Sequence, residues 1–510
     1  MEKLLNRLAS ILGSSGFFVT SLVFFVFQSV WIAFSAVYPM AFDEDFHFGL
    51  IKVYSHYWLP FLSQQPPHAN AFGAVARDPS YLYHYLMSFP YRLIALVFHG
   101  QTNQIISLRL INIVLFCVGL ILFRRILLRV HLSRALTNVS MLLFTLIPIV
   151  PQLAGQINYD NLILPLTACV CLLTFRVIDE IRRRRLHMQT LLILFIVCTL
   201  ASLVKYAFLP ITLAVALFVP VAVLRGYRSA LQTFWQGLRT SWRSTGFVRQ
   251  LLLVTLSIIA IGMFIQRDGV NLLRYHTIVP DCSRVLPVKQ CSAYSVWERN
   301  YIKHASVVGS PMSIRYVNPV QYVGVWLYSL WYRLFFAVNG PASNFTNYPP
   351  LPLPSAAAVI LALAGVWTVF VWRKRIFNNP YYNFFLLVSA LYLLALGFDG
   401  YSGYHYTDEF IDMNGRYLLP VLLFIVALMG QAFSLSLRNL PVWKKSALAA
   451  VTLLLFLQGG GVLTFITRSD TTWYQPSKAV LRANNDAQNI TRHVIVRGPK
   501  TYSTPVWFFN

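Results

Sequence analysis

Three acidic residues in a row, Asp43-Glu44-Asp45, follow directly on an apolar run from Phe17 to Met40. Only 17 of the 510 residues are acidic, so three side by side need a reason. Carboxylates at the mouth of a membrane helix carry a desolvation cost that folding alone rarely explains. A site that takes up a proton or holds a cation at the membrane surface does explain it, with Asp43 and Glu44 as the candidate catalytic pair. A polar collar that ends the helix is the plainer alternative.

The loop that follows adds His47, His56, Trp58, Gln64, His68, Arg77 and Asp78, then the string Ser80-Tyr81-Leu82-Tyr83-His84-Tyr85. Aromatic faces suit a sugar ring, and amphipathic Tyr and Trp also suit the headgroup layer. His47, Arg77 and Tyr83 are the candidate substrate-binding residues of this loop.

Three further polar groups interrupt apolar stretches. Gln156-Ile157-Asn158-Tyr159-Asp160-Asn161 stands at the start of a predicted helix. An N-cap role accounts for Asn158 or Asp160 singly, but less well for four polar residues together at membrane depth. Lys205 lies between two apolar runs, where it either snorkels to the surface or pairs with a lipid phosphate. In Asp408-Glu409-Phe410-Ile411-Asp412-Met413-Asn414-Gly415-Arg416-Tyr417, Arg416 enters the next apolar run. Its planar, permanently charged fork suits phosphate oxygens, and a local ion pair with Asp408 or Asp412 is the alternative.

Composition fixes what must position these groups. Hydrophobic residues make up 57% of the chain and charged residues 12%, which excludes an ordinary soluble domain and implies an all-α polytopic membrane protein. The first apolar run is too long for a cleaved signal peptide and lacks a small-residue cleavage site, so it reads as a retained helix. The net charge of +25 resides in short loops such as Arg182–Arg185 and Arg373-Lys374-Arg375. That is the positive-inside pattern, not a nucleic-acid surface.

With about 20 apolar residues needed per crossing, the expected spans are Phe17–Met40, Ile105–Phe123, Leu136–Leu153, Leu162–Val177, Leu191–Val204, Phe208–Leu224, Leu251–Ile265, Ala356–Trp372, Phe384–Phe398, Tyr417–Phe433 and Ala447–Ile466. Basic loops placed inside give eleven crossings (10–13 with the ambiguous segments), a cytoplasmic N-terminus and an outer C-terminus. The expected domains are a transmembrane module over 1–466 and a short external tail over 467–510. The module contains external loops over 41–104 and 267–318, and an amphipathic or re-entrant segment over 319–338. Cys282 and Cys291, nine apart in the second external loop, are expected to form a disulfide in an oxidising exterior. No cysteine pair has metal-site spacing with histidines. A divalent cation is compatible with Asp43, Glu44, Asp45 and His47, but nothing in the sequence requires one.

The order of first helix, Asp43-Glu44 loop, Asn158-Tyr159-Asp160-Asn161, Lys205 and Asn414-Gly415-Arg416-Tyr417-Leu418-Leu419-Pro420 resembles a group of bacterial integral membrane proteins. That group is allied to the GT-C glycosyltransferases, the superfamily of protein O-mannosyltransferases, aminoarabinose transferases and mycobacterial arabinosyltransferases. The resemblance covers Phe17 to about Phe433; Gly415 to Pro420 is its most specific piece, and the Asp-Glu loop is more widely shared. It implies a GT-C-like helical bundle, a catalytic acid at Asp43 with Glu44 as its neighbour, and a polyprenyl-phosphate-linked sugar as donor. The tail is short, so the large carbohydrate-binding domain of some relatives is expected to be absent.

The expected function is therefore a glycosyltransferase at the outer face of a bacterial inner membrane. Its partners are the lipid-linked donor, a glycan, lipid or protein acceptor, and membrane lipids, with no nucleic acid. Asp43 and Glu44 would act in catalysis; Arg416, Lys205, Tyr417, Asn158, Asp160, His47, Arg77 and Tyr83 would bind substrate. A flippase of lipid-linked sugars would place charges mid-span and often show inverted repeats, neither of which is visible. A glycan ligase or polymerase would rely on basic and histidine residues rather than an acidic pair.

Overall fold

A computed structural model of the chain describes residues 2–228, 231–309, 318–335, 349–411 and 413–498. Among the described residues the fold is helical, without strands; one isolated bridge joins Ala36 to Tyr474. Nine helical segments there, some of them interrupted, are long and apolar enough to cross a membrane: Ser15–Ser35, Gln101–Arg129, Asp160–Arg182, Tyr206–Gly226, Phe247–Tyr275, Pro352–Ile376, Pro380–Thr407, Gly415–Ser436 and Val442–Arg468. Large apolar side chains on these helices, such as Leu213, Ile258, Leu363, Phe398 and Leu454, are exposed. Lipid removes the hydrophobic cost of that exposure. The chain is an integral membrane protein.

The first part of the chain runs through α1 (Glu2–Gly13), α2 (Ser15–Ser35), α3 (Glu44–Tyr54), α4 (Leu82–Val97), α5 (Gln101–Arg129), α6 (Arg134–Thr145), α7 (Ile149–Ala154), α8 (Asp160–Arg182) and α9 (Met188–Val204). Helix α9, at 17 residues, is a shorter apolar helix matching the expected Leu191–Val204 span. The expected span Leu136–Leu153 is not one helix but α6 and α7. Pro148 has no N–H to continue the ladder and disfavours helical backbone at Ile147, so α6 ends there. The Leu146 carbonyl freed by this break accepts the Gly461 N–H at 2.7 Å. Gly461 sits in a second break, between the helices Val442–Leu457 and Val462–Arg468. Its φ of +60° and the Gln28 side-chain oxygen, 1.8 Å from where a Cβ would stand, explain why glycine occupies it. Two helix breaks thus satisfy each other inside the bundle, as a membrane interior demands.

Helix α2 also ends earlier than the apolar run suggests. Ala36 is extended, Val37 donates to the Trp473 carbonyl, and Gln475 donates to Ser35. On the terminal helix Lys478–Arg492, buried Asn484 accepts from Trp31 Nε1 at 3.0 Å and donates to Ser35 Oγ at 3.1 Å. The segment after Arg468 therefore splints the stretch of chain that leads into Asp43.

Cys282 and Cys291 are disulfide-bonded, and their short hairpin packs with Trp297 against Ala74 of the first loop. Tyr294 lies 5.8 Å from Phe46, ring to ring, so the second long loop covers the first. The helix Pro319–Phe335 buries Tyr322, Trp326 and Leu330 against Tyr404 and Met413; residues 336–338 of the expected amphipathic segment lie outside the described residues.

Candidate active site

Four separate pieces of chain converge on the turn before α3. Phe42 and Asp43 are consecutive residues in left-handed backbone, with φ of 70° and 65°. For residues other than glycine this costs of the order of 1 kcal/mol each and persists only where the surroundings enforce it. They do so here. The Phe42 carbonyl accepts from Arg416 Nη1 at 2.8 Å and from Asn158 Nδ2 at 3.1 Å, while Asp43 Oδ2 accepts from Arg416 Nη2 at 2.7 Å. Arg416 is buried at 4% side-chain exposure, whereas the Asp43 carboxylate is half exposed. The site thus joins a buried cation to an accessible acid.

Arg416 pairs with Asp43 rather than with Asp408; Asp412 lies outside the described residues. Gly415 sets its position. A Cβ there would stand 2.6 Å from the Leu334 nitrogen and 2.7 Å from the Leu330 oxygen, in backbone that cannot move aside. Gly415→Ala is expected to cost about 1–3 kcal/mol by overpacking and to displace Arg416. A lowered melting temperature together with weakened activity is the expected result; an unchanged protein would show that the contact yields.

Lys205 does not snorkel. It is buried, and its Nζ donates to Asp160 Oδ1 at 2.6 Å. It also lies 4.5 Å from the Tyr159 ring centroid and 5.2 Å from that of Tyr417. Arg416 stands 5.2 Å from the same Tyr417 ring, so the two cations share one aromatic wall. Asn158 does cap α8 locally, through its Oδ1 and the Asp160 N–H, while Asp160 uses its side chain for Lys205. Arg416 Nε and Asp160 Oδ2 are buried without a hydrogen-bond partner among the described residues.

Glu44 has a different environment from Asp43. It is fully buried and meets Arg109 side-on, with Nε to Oε1 at 2.8 Å and Nη2 to Oε2 at 2.7 Å. The Met40 and Ile157 N–H groups donate to the same carboxylate, at 2.9 and 3.1 Å. Arg109 Nη1 in turn donates to the Ala33 and Ala36 carbonyls. This network ties together the end of α2, the α3 turn, α5 and the loop before α8. The Glu44 carboxylate therefore lies inside a buried ion-pair and hydrogen-bond network, unlike the half-exposed Asp43. Arg109 is the residue the sequence reading passes over, although a lone arginine inside the apolar Ile105–Phe123 stretch signals a buried acidic partner.

Tyr83 donates to Asn112 Oδ1 at 2.8 Å, and Asn161 donates to the same oxygen at 3.0 Å, forming a buried polar layer beneath the site. His47 is buried and paired with His84 at 2.9 Å. Arg77 is not drawn in: it reaches the Gln266 carbonyl at 3.5 Å, and its own carbonyl accepts from Asn271. Among the described residues no three His, Cys, Asp or Glu side chains are grouped to hold a metal ion. Glu44 is engaged by Arg109, Asp43 by Arg416 and His47 by His84, so these side chains are not grouped around one common point.

No protein-family model matches the sequence, and no curated protein matches it. Solved structures do align with it. The archaeal oligosaccharyltransferase AglB from Archaeoglobus fulgidus, in complex with an inhibitory peptide and a dolichol-phosphate, aligns over 96% of this chain and 61% of its own, at 15% identity and a TM-score of 0.43. An oligosaccharyltransferase structure from the same organism, in complex with Zn and sulfate, aligns over 95% of this chain and 59% of its own, at 12% identity and a TM-score of 0.39. The chain therefore spans about three fifths of the length of these structures.

Proposed function

We propose that the protein is a membrane glycosyltransferase of the GT-C type. In this reading it moves a sugar from a polyprenyl-phosphate donor to an acceptor hydroxyl on the outer face of a bacterial inner membrane. The observation that carries the reading is the half-exposed Asp43 carboxylate held against buried Arg416, beside the equally buried Lys205. A base and two cations within one aromatic-walled site match the needs of glycosyl transfer from a phosphate. The resemblance in the Asp43-Glu44 and Gly415-Arg416-Tyr417 segments points the same way.

The donor phosphate takes hydrogen bonds from Arg416, whose Nε has no partner among the described residues, and from Lys205. Competition for the guanidinium loosens its hold on Asp43. The acceptor oxygen attacks the anomeric carbon while its proton passes to the Asp43 carboxylate. The bond from that carbon to the phosphate oxygen breaks, and the departing lipid phosphate keeps the electron pair, stabilised by the two cations. A single base and a phosphate leaving group make this one displacement, with inversion. Tyr417 and Tyr159 present ring faces to the sugar, and exclusion of water by the second loop limits donor hydrolysis.

Arg416 provides the test. Arg416→Ala is expected to weaken binding of undecaprenyl phosphate by about 1.5–3 kcal/mol, the value of a charge-assisted hydrogen bond. Arg416→Lys keeps the charge but loses the fork, and should fall between the two. If Arg416 only anchors Asp43, both variants melt lower yet bind the lipid phosphate normally. Unchanged affinity in a well-folded Arg416→Ala protein rules out the phosphate role.

A further inference from the structure

At the end of the bundle remote from Asp43, a short helix carries an exposed, uncompensated positive charge. The helix Leu231–Arg243 connects the span Tyr206–Gly226 to the span Phe247–Tyr275. Helix α9 runs from this end of the bundle to Lys205, a rise of about 25 Å for its 17 residues. The connection is fixed at both ends. A Cβ on Gly226 would stand 2.4 Å from Ile181 Cγ2, and Gln189 of α9 is hydrogen-bonded to Thr245. Between these points Leu238 is buried, and Phe234 packs on buried Tyr227 at 5.3 Å, ring to ring.

The opposite side of the helix faces outward. Gln232, Trp235, Gln236 and Arg239 fall on one helical face and line an open hollow of about 520 Å³. Arg243 continues that face one turn further on, and Trp235 is 60% exposed. Beside the helix, Leu224, Phe247, Val248 and Leu251 are also exposed, which suits span ends in contact with lipid. These neighbours set the helix at the bilayer boundary.

Its charge has one sign. The stretch 225–249 holds Arg225, Arg228, Arg239, Arg243 and Arg249, and no acidic residue occurs between Glu180 and Asp268. All five arginines are exposed, and none is in an ion pair among the described residues. Five like charges with no internal counter-ion repel one another, and an external anion relieves the repulsion. Arginines beside an exposed tryptophan, on an amphipathic helix at the bilayer boundary, match the chemistry of anionic headgroups.

We propose that the outward face of the helix Leu231–Arg243 binds the headgroup phosphate of an anionic phospholipid. Arg239 and Arg243 hold the phosphate oxygens, Gln232 and Gln236 donate to the same headgroup, and the Trp235 ring rests at headgroup level. Nucleic acid would also answer to five arginines, but it does not answer to the exposed Phe247 and Val248 that flank them. The inference stands apart from the sugar-transfer reading.

The test uses the full chain in phosphatidylcholine bilayers containing a photoactivatable phosphatidylglycerol or, separately, a photoactivatable phosphatidylcholine. The crosslinked residues are located by mass spectrometry, and the yield in 225–249 is followed as the probe fraction rises. Phosphatidylglycerol should label this stretch at a lower probe fraction than phosphatidylcholine, and added salt should reduce the difference. Arg239→Gln should raise the half-saturating fraction of phosphatidylglycerol about fivefold, the effect of one basic residue near a membrane surface. Its melting temperature should not change, since Arg239 is exposed and makes no ion pair. Arg239→Lys should restore most of the labelling. Arg373→Gln, which removes an exposed charge from another basic turn, should leave it as in the wild type. Equal labelling by the two lipids overturns the proposal, as does displacement of phosphatidylglycerol by an oligonucleotide. An effect of Arg373→Gln equal to that of Arg239→Gln reduces the binding to diffuse charge and overturns the site. Sugar transfer does not enter this readout, so its absence leaves the lipid result standing.

Discussion

Asp43→Asn is expected to lower sugar transfer by about 10²–10⁴-fold, the usual contribution of a positioned general base, without lowering the melting temperature. The substitution removes the accessible carboxylate that contacts Arg416 among the described residues, while keeping its size and its acceptor oxygen. The asparagine oxygen can still accept from the buried Arg416, which also keeps the Phe42 carbonyl, so the guanidinium is not left without hydrogen-bond partners. Asparagine also tolerates the left-handed backbone that position 43 adopts better than most residues. Turnover and thermal unfolding measured on the same purified samples check this. A stable Asp43→Asn protein with wild-type turnover would remove Asp43 as the base.

Glu44, one residue on, should behave in the opposite way. Glu44→Ala leaves Arg109 buried at 0% exposure without its carboxylate, which costs about 3–5 kcal/mol in comparable buried pairs. The variant should therefore melt far lower, or fail to accumulate, and activity should fall with folding. Replacing both partners by apolar residues, Glu44→Leu with Arg109→Met, should do less harm than either change alone, because no uncompensated charge remains. Additive losses in the double variant would mean that the two side chains do not act as a pair. A Glu44→Gln protein of normal stability without turnover would return Glu44 to the chemistry.

The contrast between these neighbours marks where sequence reading stops. Hydropathy exposed most of the long helices, because a lipid-facing span needs a run of apolar residues that little else in the chain resembles. It did not reveal that Leu136–Leu153 is broken, since apolarity is continuous across Pro148 and only the proline's missing donor marks the break. The polar clusters at Asp43, Asn158, Lys205 and Arg416 stood out against their apolar surroundings, and the fold brings all four together. Their pairings were not legible. Nothing local says that Arg416 prefers Asp43 to Asp408, or that Lys205 finds Asp160; both choices are made by tertiary packing. Arg77, a basic residue in a suggestive loop, meets the Gln266 carbonyl and Asn271 of the Phe247–Tyr275 helix instead of this cluster. His84 was visible only as part of an aromatic string, because a stacked imidazole pair requires the angle between α3 and α4.

The most direct test of the central claim is donor consumption. The purified protein, reconstituted in lipid, is incubated with a panel of radiolabelled polyprenyl-phosphate sugars and a crude membrane extract as acceptor, beside the Asp43→Asn variant. At least one donor should be consumed by the wild type, with release of the polyprenyl phosphate and inversion at the anomeric carbon, and Asp43→Asn should leave that donor intact. A folded wild-type protein that consumes none of the panel, or equal consumption by wild type and Asp43→Asn, would contradict the central claim.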